Sequence, residues 1–312
     1  MVARFKLLST LHFFNLWYYN MAKKLLAGND VAEWRKALFG YNKAITALAA
    51  TKKKAVSGID LVHLDTWKLT LDANTLYDKA TVVKIVQWKL LRGTYRPNLL
   101  NRVMSNSVES IHSAISAAQH HLLKVGSSKE DHKMILSALE SLSELAGIGP
   151  ATASAILSCM SSAVPFMSDE VIGSLPGTDP KKLKYTFKQY REILETLTAK
   201  SNALNKADTM EWSPRSVERA LWTCQVLNNL GLALDVSDES VEEAKHDGNI
   251  ALDTKTELAL DASTVPVKMG KKQDSISATE SKQKSVEKQT RKRVADSNPK
   301  DKQPVRRSAR YQ

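Results

Sequence analysis

The chain has 312 residues, enough for one or two domains with a sizeable core, and 43% of them are hydrophobic. Its formal charge of +12 points to a polyanionic partner, and its two cysteines, Cys159 and Cys224, exclude a four-cysteine iron–sulfur cluster or zinc ribbon. No run reaches the ~20 apolar residues of a membrane-spanning helix, so no membrane partner is expected.

Residues 1–28 open with Arg4 and Lys6 before an apolar stretch that His12 and Asn15 interrupt. No small-x-small cleavage site follows closely. We read 1–28 as a variable or weakly docked amino-terminal helix rather than a secretion signal. Asn29-Asp30 can cap a helix whose apolar face carries Val31, Trp34, Leu38, Tyr41, Ile45 and Leu48. Further helices are predicted over 66–71 and 80–91, the second stopped by Gly93 and Pro97. Residues 98–124 are periodic throughout, and the next helix begins near Lys129.

After residue 162, the segment Val164-Pro165-Phe166-Met167-Ser168-Asp169-Glu170 reads as a turn into a short helix. A strong helix is predicted over 181–203, with Tyr185, Tyr190 and Leu194 among its apolar residues. Ser213-Pro214 is a cap followed by proline at the first helical position, opening a last helix that ends near Gly231. No strand alternation persists, so the fold class is all-α, with a helical domain over 29–234. The cysteines sit in apolar helical contexts and read as reduced core residues. No histidine, His120-His121 included, has a partner at ligand spacing, so no metal and no cofactor is required.

From 235 to 312 aromatic residues vanish until Tyr311, and Lys, Ser, Gln, Thr and Glu dominate. Such a segment cannot bury enough apolar surface to offset chain entropy, and we expect it to be disordered. Residues 1–234 hold 29 basic and 19 acidic side chains, 235–261 hold 2 and 9, and 268–312 hold 14 and 5. The positive excess thus belongs to the body and the tail, with an acidic spacer between. The clusters Arg291-Lys292-Arg293 and Arg306-Arg307-Ser308-Ala309-Arg310 resemble a bipartite nuclear import signal. A generic basic tail is the other reading. The tail is also a candidate contact for chromatin proteins.

The most informative stretch is Leu145-Ala146-Gly147-Ile148-Gly149-Pro150-Ala151-Thr152. It reads as a Gly-x-Gly hairpin between two helices, within about 132–162. Two glycines permit backbone angles closed to other residues and leave no side chain before a ligand. Free amides at the start of the second helix, from Gly147, Ile148, Gly149, Ala151 and Thr152, suit a DNA phosphate, as does the helix dipole. A turn that only packs is the plainer reading. Lys89, Arg92 and Arg96 cluster at a helix end beside Trp88 and could grip phosphates on either side. A solvated helix end explains them too, and Trp88 itself reads as core.

A hairpin-anchored helix, a Pro-containing turn and then Asp169, 20 residues after Gly149, resembles the layout of the helix-hairpin-helix DNA glycosylase superfamily. Taken in order, 88–97, 149–158 and 164–170 also resemble the Amun-type family of glycosylase-like nuclear proteins. The resemblance covers about residues 60–230. It implies a nuclear protein of DNA repair in which Asp169 stands at the mouth of a cleft beside an extruded nucleotide. There a carboxylate can stabilise an oxocarbenium-like sugar or orient water. It also allows a potassium or sodium ion on the hairpin carbonyls. Bifunctional members place a Schiff-base lysine two residues after the second glycine, and here that position is Ala151, so that route to lyase chemistry is closed. Ser168-Asp169 also begins a helix, so a capping role for Asp169 stands beside the catalytic one. Three functions are therefore expected: a DNA-binding protein without overt catalysis, a monofunctional glycosylase using Asp169, or a protein–protein adaptor.

Overall fold

A computed structural model describes residues 21–52, 60–72, 74–75, 77–126, 130–179 and 182–235. The expectations for 1–20, for the tail beyond 235 and for its import clusters lie outside the described residues. Among the described residues all regular structure is helical. The helices are α1 (Met21–Ala27), α2 (Val31–Phe39), α3 (Tyr41–Lys52), α4 (Leu61–Lys68), α5 (Lys79–Arg92) and α6 (Pro97–Met104). They continue as α7 (Val108–Leu122), α8 (Asp131–Ser143), α9 (Pro150–Leu157), α10 (Asp169–Ser174), α11 (Phe187–Asn205) and α12 (Pro214–Asn229). No helix among them is long and apolar enough to cross a membrane.

Short polar side chains start most of these helices by accepting an otherwise orphaned amide. Asp30 caps α2, Asp60 caps α4, Asp78 caps α5, Ser107 caps α7 and Thr186 caps α11. Ser213 and Ser216 form a reciprocal capping box at α12. Two expected helices are each split in two. The first breaks at Gly40, where a Cβ would lie 2.7 Å from Leu234 Cδ1 and 3.2 Å from Thr223 Cγ2, so the glycine admits α12. The second breaks at Ser105–Ser107, where the Ser107 cap restarts the helix. The amino-terminal reading is also revised. Helix α1 buries Ala22 and Leu26 and packs on α12, so the helical body extends back to Met21.

Helix α12 is the centre of the carboxy-terminal packing, against α1, α2, α3, α10 and α11. A stripe of Val217, Leu221, Trp222, Val226 and Leu227 is the sequence expectation, yet nearly every residue of α12 is buried, Arg215, Glu218 and Arg219 included. Those charges form a network. Arg92 donates to Glu218 Oε1 at 2.9 Å, and Arg215 pairs with the same carboxylate. The Arg92 guanidinium lies 4.2 Å from the Trp222 ring centroid, and that of Arg219 lies 4.1 Å from Tyr41. Beside them Asp65 accepts from Tyr41 Oη at 2.8 Å and from Trp88 Nε1 at 2.7 Å. Trp88 is core, as the sequence suggests, and both cysteines are buried.

Candidate nucleic-acid interface

Helices α8 and α9 are joined by a tight turn held from outside by α6. Asn106 donates from Nδ2 to the Ala146 carbonyl at 3.0 Å, and its Oδ1 accepts from the Ala146 amide at 2.8 Å. Gly147 sits at φ +79°, a conformation that disfavours any side chain. A Cβ there would lie 2.9 Å from Arg102 Cβ and 3.2 Å from the Val103 backbone nitrogen. Gly147 is therefore needed for backbone shape and for contact with α6.

Gly149 differs. Its φ of −106° and ψ of −176° are extended and open to any residue, and a Cβ there would meet nothing within 4 Å. The expectation that both glycines serve the backbone holds for Gly147 alone. The protein's own packing gives no reason for glycine at 149.

The turn's amides divide in the same way. The Ile148 amide donates to the Leu145 carbonyl at 3.1 Å, and the Thr152 amide to the Gly149 carbonyl at 2.9 Å. Both side chains are buried. Ile148 is thus corrected from a ligand contact to a core residue, because its amide is spent and its side chain is buried; Thr152 has spent its amide in the same way, while it stays among the residues that line the cavity beside the turn. Among the described residues, the amides of Gly147, Gly149 and Ala151 have no hydrogen-bond partner. Three carbonyls of the turn already accept bonds, Leu145 from Ile148, Ala146 from Asn106, and Gly149 from Thr152 and Ala153. A cation on the turn would therefore rely first on the Gly147 and Ile148 carbonyls.

The open face of this turn is one wall of a cavity of about 160 Å³. The end of α5 and its following loop supply Lys89, Thr94 and Arg96; the turn supplies Gly149 and Ala151; Phe166 to Asp169 and Tyr185 close it. Asp169 is held there by its supports. Ser154 on α9 accepts from the Met167 amide at 3.0 Å, and Tyr190 donates to the Pro165 carbonyl at 3.2 Å, fixing the 164–168 segment against α9 and α11. Ser168 caps α10 by accepting from the Val171 amide. The capping role considered for Asp169 thus belongs to Ser168, and the Asp169 carboxylate is left for the cavity. Its Oδ2 accepts from Thr94 Oγ1 at 3.0 Å and its Oδ1 from Tyr185 Oη at 2.8 Å. Tyr185 is pushed up to about 12, first by burial and then by its bond to Asp169, so its phenol stays protonated.

The basic residues separate. Arg96 is exposed at the start of α6, with its guanidinium 5.2 Å from the Tyr185 ring centroid. Lys89 lines the cavity, and burial first, then Arg96, lowers its pKa to about 8 against the raising effect of Asp169. Arg92 is corrected: it is 1% exposed, paired with Glu218 and enclosed by aromatic rings, so it cannot reach a phosphate. Glu170 is not among the residues that line the cavity, and its Oε2 is buried without a hydrogen-bond partner. Burial raises its pKa, with the Asp169 charge adding to the effect and Arg92 opposing it.

Thr94 and Tyr185, neither of them expected at the site from the sequence, are the residues that hold Asp169. A signal for Tyr185 was present. Thr186 followed three residues later by Gln189 is a capping signature that starts the helix at Phe187 and frees Tyr185 from it. Comparison with known proteins finds no matching family model, no matching curated protein and no matching solved structure.

Proposed function

We propose that this chain is a nuclear DNA-binding protein on a helix-hairpin-helix, glycosylase-like scaffold. In this reading the Gly147–Gly149 turn holds a backbone phosphate and the adjoining cavity receives the sugar of one extruded nucleotide. One observation carries it: Gly149 is extended and open, with no intramolecular use for its missing side chain, and it borders a cavity. A ligand that approaches the main chain closely supplies the reason that packing does not. The unpartnered amides of Gly149 and Ala151 at the start of α9 favour an anion there. Arg96 and Lys89, which line the same cavity, supply the charge for flanking phosphates. The test is binding to a duplex with a central tetrahydrofuran abasic analogue, followed against salt by fluorescence anisotropy. Preference over the intact duplex, with log affinity falling linearly in log salt, supports the reading. Equal, salt-independent signals for both duplexes count against it.

A second reading is favoured by Asp169. It is a carboxylate at the cavity wall held by two hydrogen bonds. A carboxylate so fixed can stabilise positive charge on a deoxyribose as its base departs. That is monofunctional base excision. It predicts release of a free base from some member of a lesion panel, and loss of that release in Asp169→Asn.

A further inference from the structure

We infer that Lys182, Lys184, Lys188 and Arg191 form a second contact surface, one that holds the phosphate backbone of a duplex beyond the nucleotide at the cavity. This rests on the DNA-binding reading and gives its interface an extent that the cavity alone does not supply.

Four observations carry it. The first is composition: between Asp179 and Glu192 the chain has no acidic residue. The second is exposure without pairing. All four cations are exposed, and among the described residues none of their side chains has a hydrogen bond or an ion pair. Exposed Lys43 and Lys133, by contrast, pair with Asp235 and Glu130. The next acid along the chain, Glu192, accepts from Gln189 Nε2 at 3.0 Å instead. The third is alternation. From 182 to 186 the backbone is not helical, and Lys182, Lys184 and Thr186 are exposed while Leu183 and Tyr185 pack on the core. In α11, which follows, Lys188 and Arg191 stand three residues apart and so share a face. The segment is continuous with the cavity through Tyr185, which lines it and holds Asp169.

The fourth is electrostatic. Lys188 lies at the positive end of a 19-residue helix whose first turn holds no acidic residue. A cation there opposes the helix dipole, where an aspartate or glutamate would favour it. Folding alone therefore gives no reason for this arrangement, and an external anion does. Four cations spread along the segment suit a polymer of negative charge rather than a single ion. The duplex placed at the adjoining cavity is such a polymer. Contacts to its phosphates position the protein and carry no sequence preference of their own.

The experiment compares the full chain with two charge-matched variants. One combines Lys182→Gln, Lys184→Gln, Lys188→Gln and Arg191→Gln. The control combines Lys24→Gln, Lys124→Gln, Lys133→Gln and Lys206→Gln, all at exposed positions. Both lose the same charge, so long-range attraction falls alike and only direct contacts separate them. Anisotropy on a long tetrahydrofuran duplex across salt should give a slope shallower by about 3.6 in the first variant, roughly 0.9 for each phosphate released, and close to the parent's in the control. Hydroxyl-radical footprinting should show the first variant protecting fewer sugars to one side of the analogue, with protection at the analogue kept. Lys188→Glu should bind about tenfold more weakly yet unfold at a higher urea concentration. A slope and footprint equal to the control's would overturn the second contact and leave the cavity reading standing. If the first variant instead keeps its DNA slope and loses binding to polyglutamate, the segment serves an acidic protein and the inference is overturned. Absence of duplex binding by the parent chain would overturn the DNA reading and the second contact together.

Discussion

Replacing Gly149 by aspartate should move stability and DNA affinity in opposite directions. Gly149 is the residue before the first turn of α9, its backbone is extended, and a Cβ there meets nothing within 4 Å. An aspartate fits without strain. Its carboxylate can accept the unpartnered Ala151 amide and meets the positive end of the helix dipole, for a gain of roughly 0.3–1 kcal/mol. Restricting the unfolded chain adds about 0.4–1 kcal/mol in the same direction. The same carboxylate occupies the place we assign to a phosphate. It removes a charge-assisted hydrogen bond of ~1.5–3 kcal/mol and adds repulsion. Affinity should then fall about ten- to a hundredfold. Urea unfolding gives the first quantity and anisotropy with the tetrahydrofuran duplex the second. An aspartate variant as stable as the parent or more so, yet with undiminished affinity, would refute the placement of phosphate at this turn. A variant that unfolds more easily would refute the open geometry of Gly149.

The neighbouring glycine should behave in the reverse manner: Gly147→Ala, at φ +79° and against Arg102 Cβ, should cost about 1–2 kcal/mol from backbone strain alone, read as a lower urea midpoint. Arg92→Ala leaves Glu218 short of its Arg92 partner in a closed site and should cost ~3–5 kcal/mol in urea unfolding, whereas Arg96→Ala, at an exposed position, should leave unfolding unchanged and reduce the salt slope of DNA binding by about 1. Asp208 ties α11 to α2 by accepting from Arg35 Nε at 3.0 Å and from Trp212 Nε1 at 2.8 Å. Burial raises its pKa, but those bonds outweigh burial and hold it below its ordinary 3.8. Its folded pKa is depressed, so its contribution is present above pH 3.8 and lost as pH falls through the folded value. Asp208→Asn should therefore destabilise the protein at pH 7 and lose that difference as pH falls through the depressed folded value, followed by circular dichroism.

Much of the local architecture was legible because capping is short-ranged. Asp30 and Ser213 mark their helix starts through side chains that reach amides two or three residues away, and Pro214 marks its own through a fixed φ and a missing N–H. The turn at Gly147 was legible for the same reason. What lay beyond the sequence was which charges go inside. Arginines such as Arg92, Arg215 and Arg219 stay at the surface unless paired, and only the arrival of Glu218 and of the rings of Tyr41 and Trp222 makes their burial tolerable. Gly40 was silent because its partners, Thr223 and Leu234, are far away in the chain. The cavity was half visible. Asp169 and the glycines stand out by type and spacing, but Thr94 and Lys89 join them only through the packing of α5 on α9. The loss of Arg92 from the site and the gain of Thr94 and Tyr185 are therefore tertiary facts.

The central claim is that the cavity between the Gly149 turn, Arg96 and Asp169 faces a nucleic-acid backbone. Equilibrium titration of the full chain with the tetrahydrofuran duplex, repeated from low to high salt, tests it most directly. The account predicts a straight negative slope of log affinity on log salt, shallower by about 1 in Arg96→Ala. A slope that Arg96→Ala and Gly149→Asp both leave unchanged would contradict it, since the DNA would then be held elsewhere on the chain.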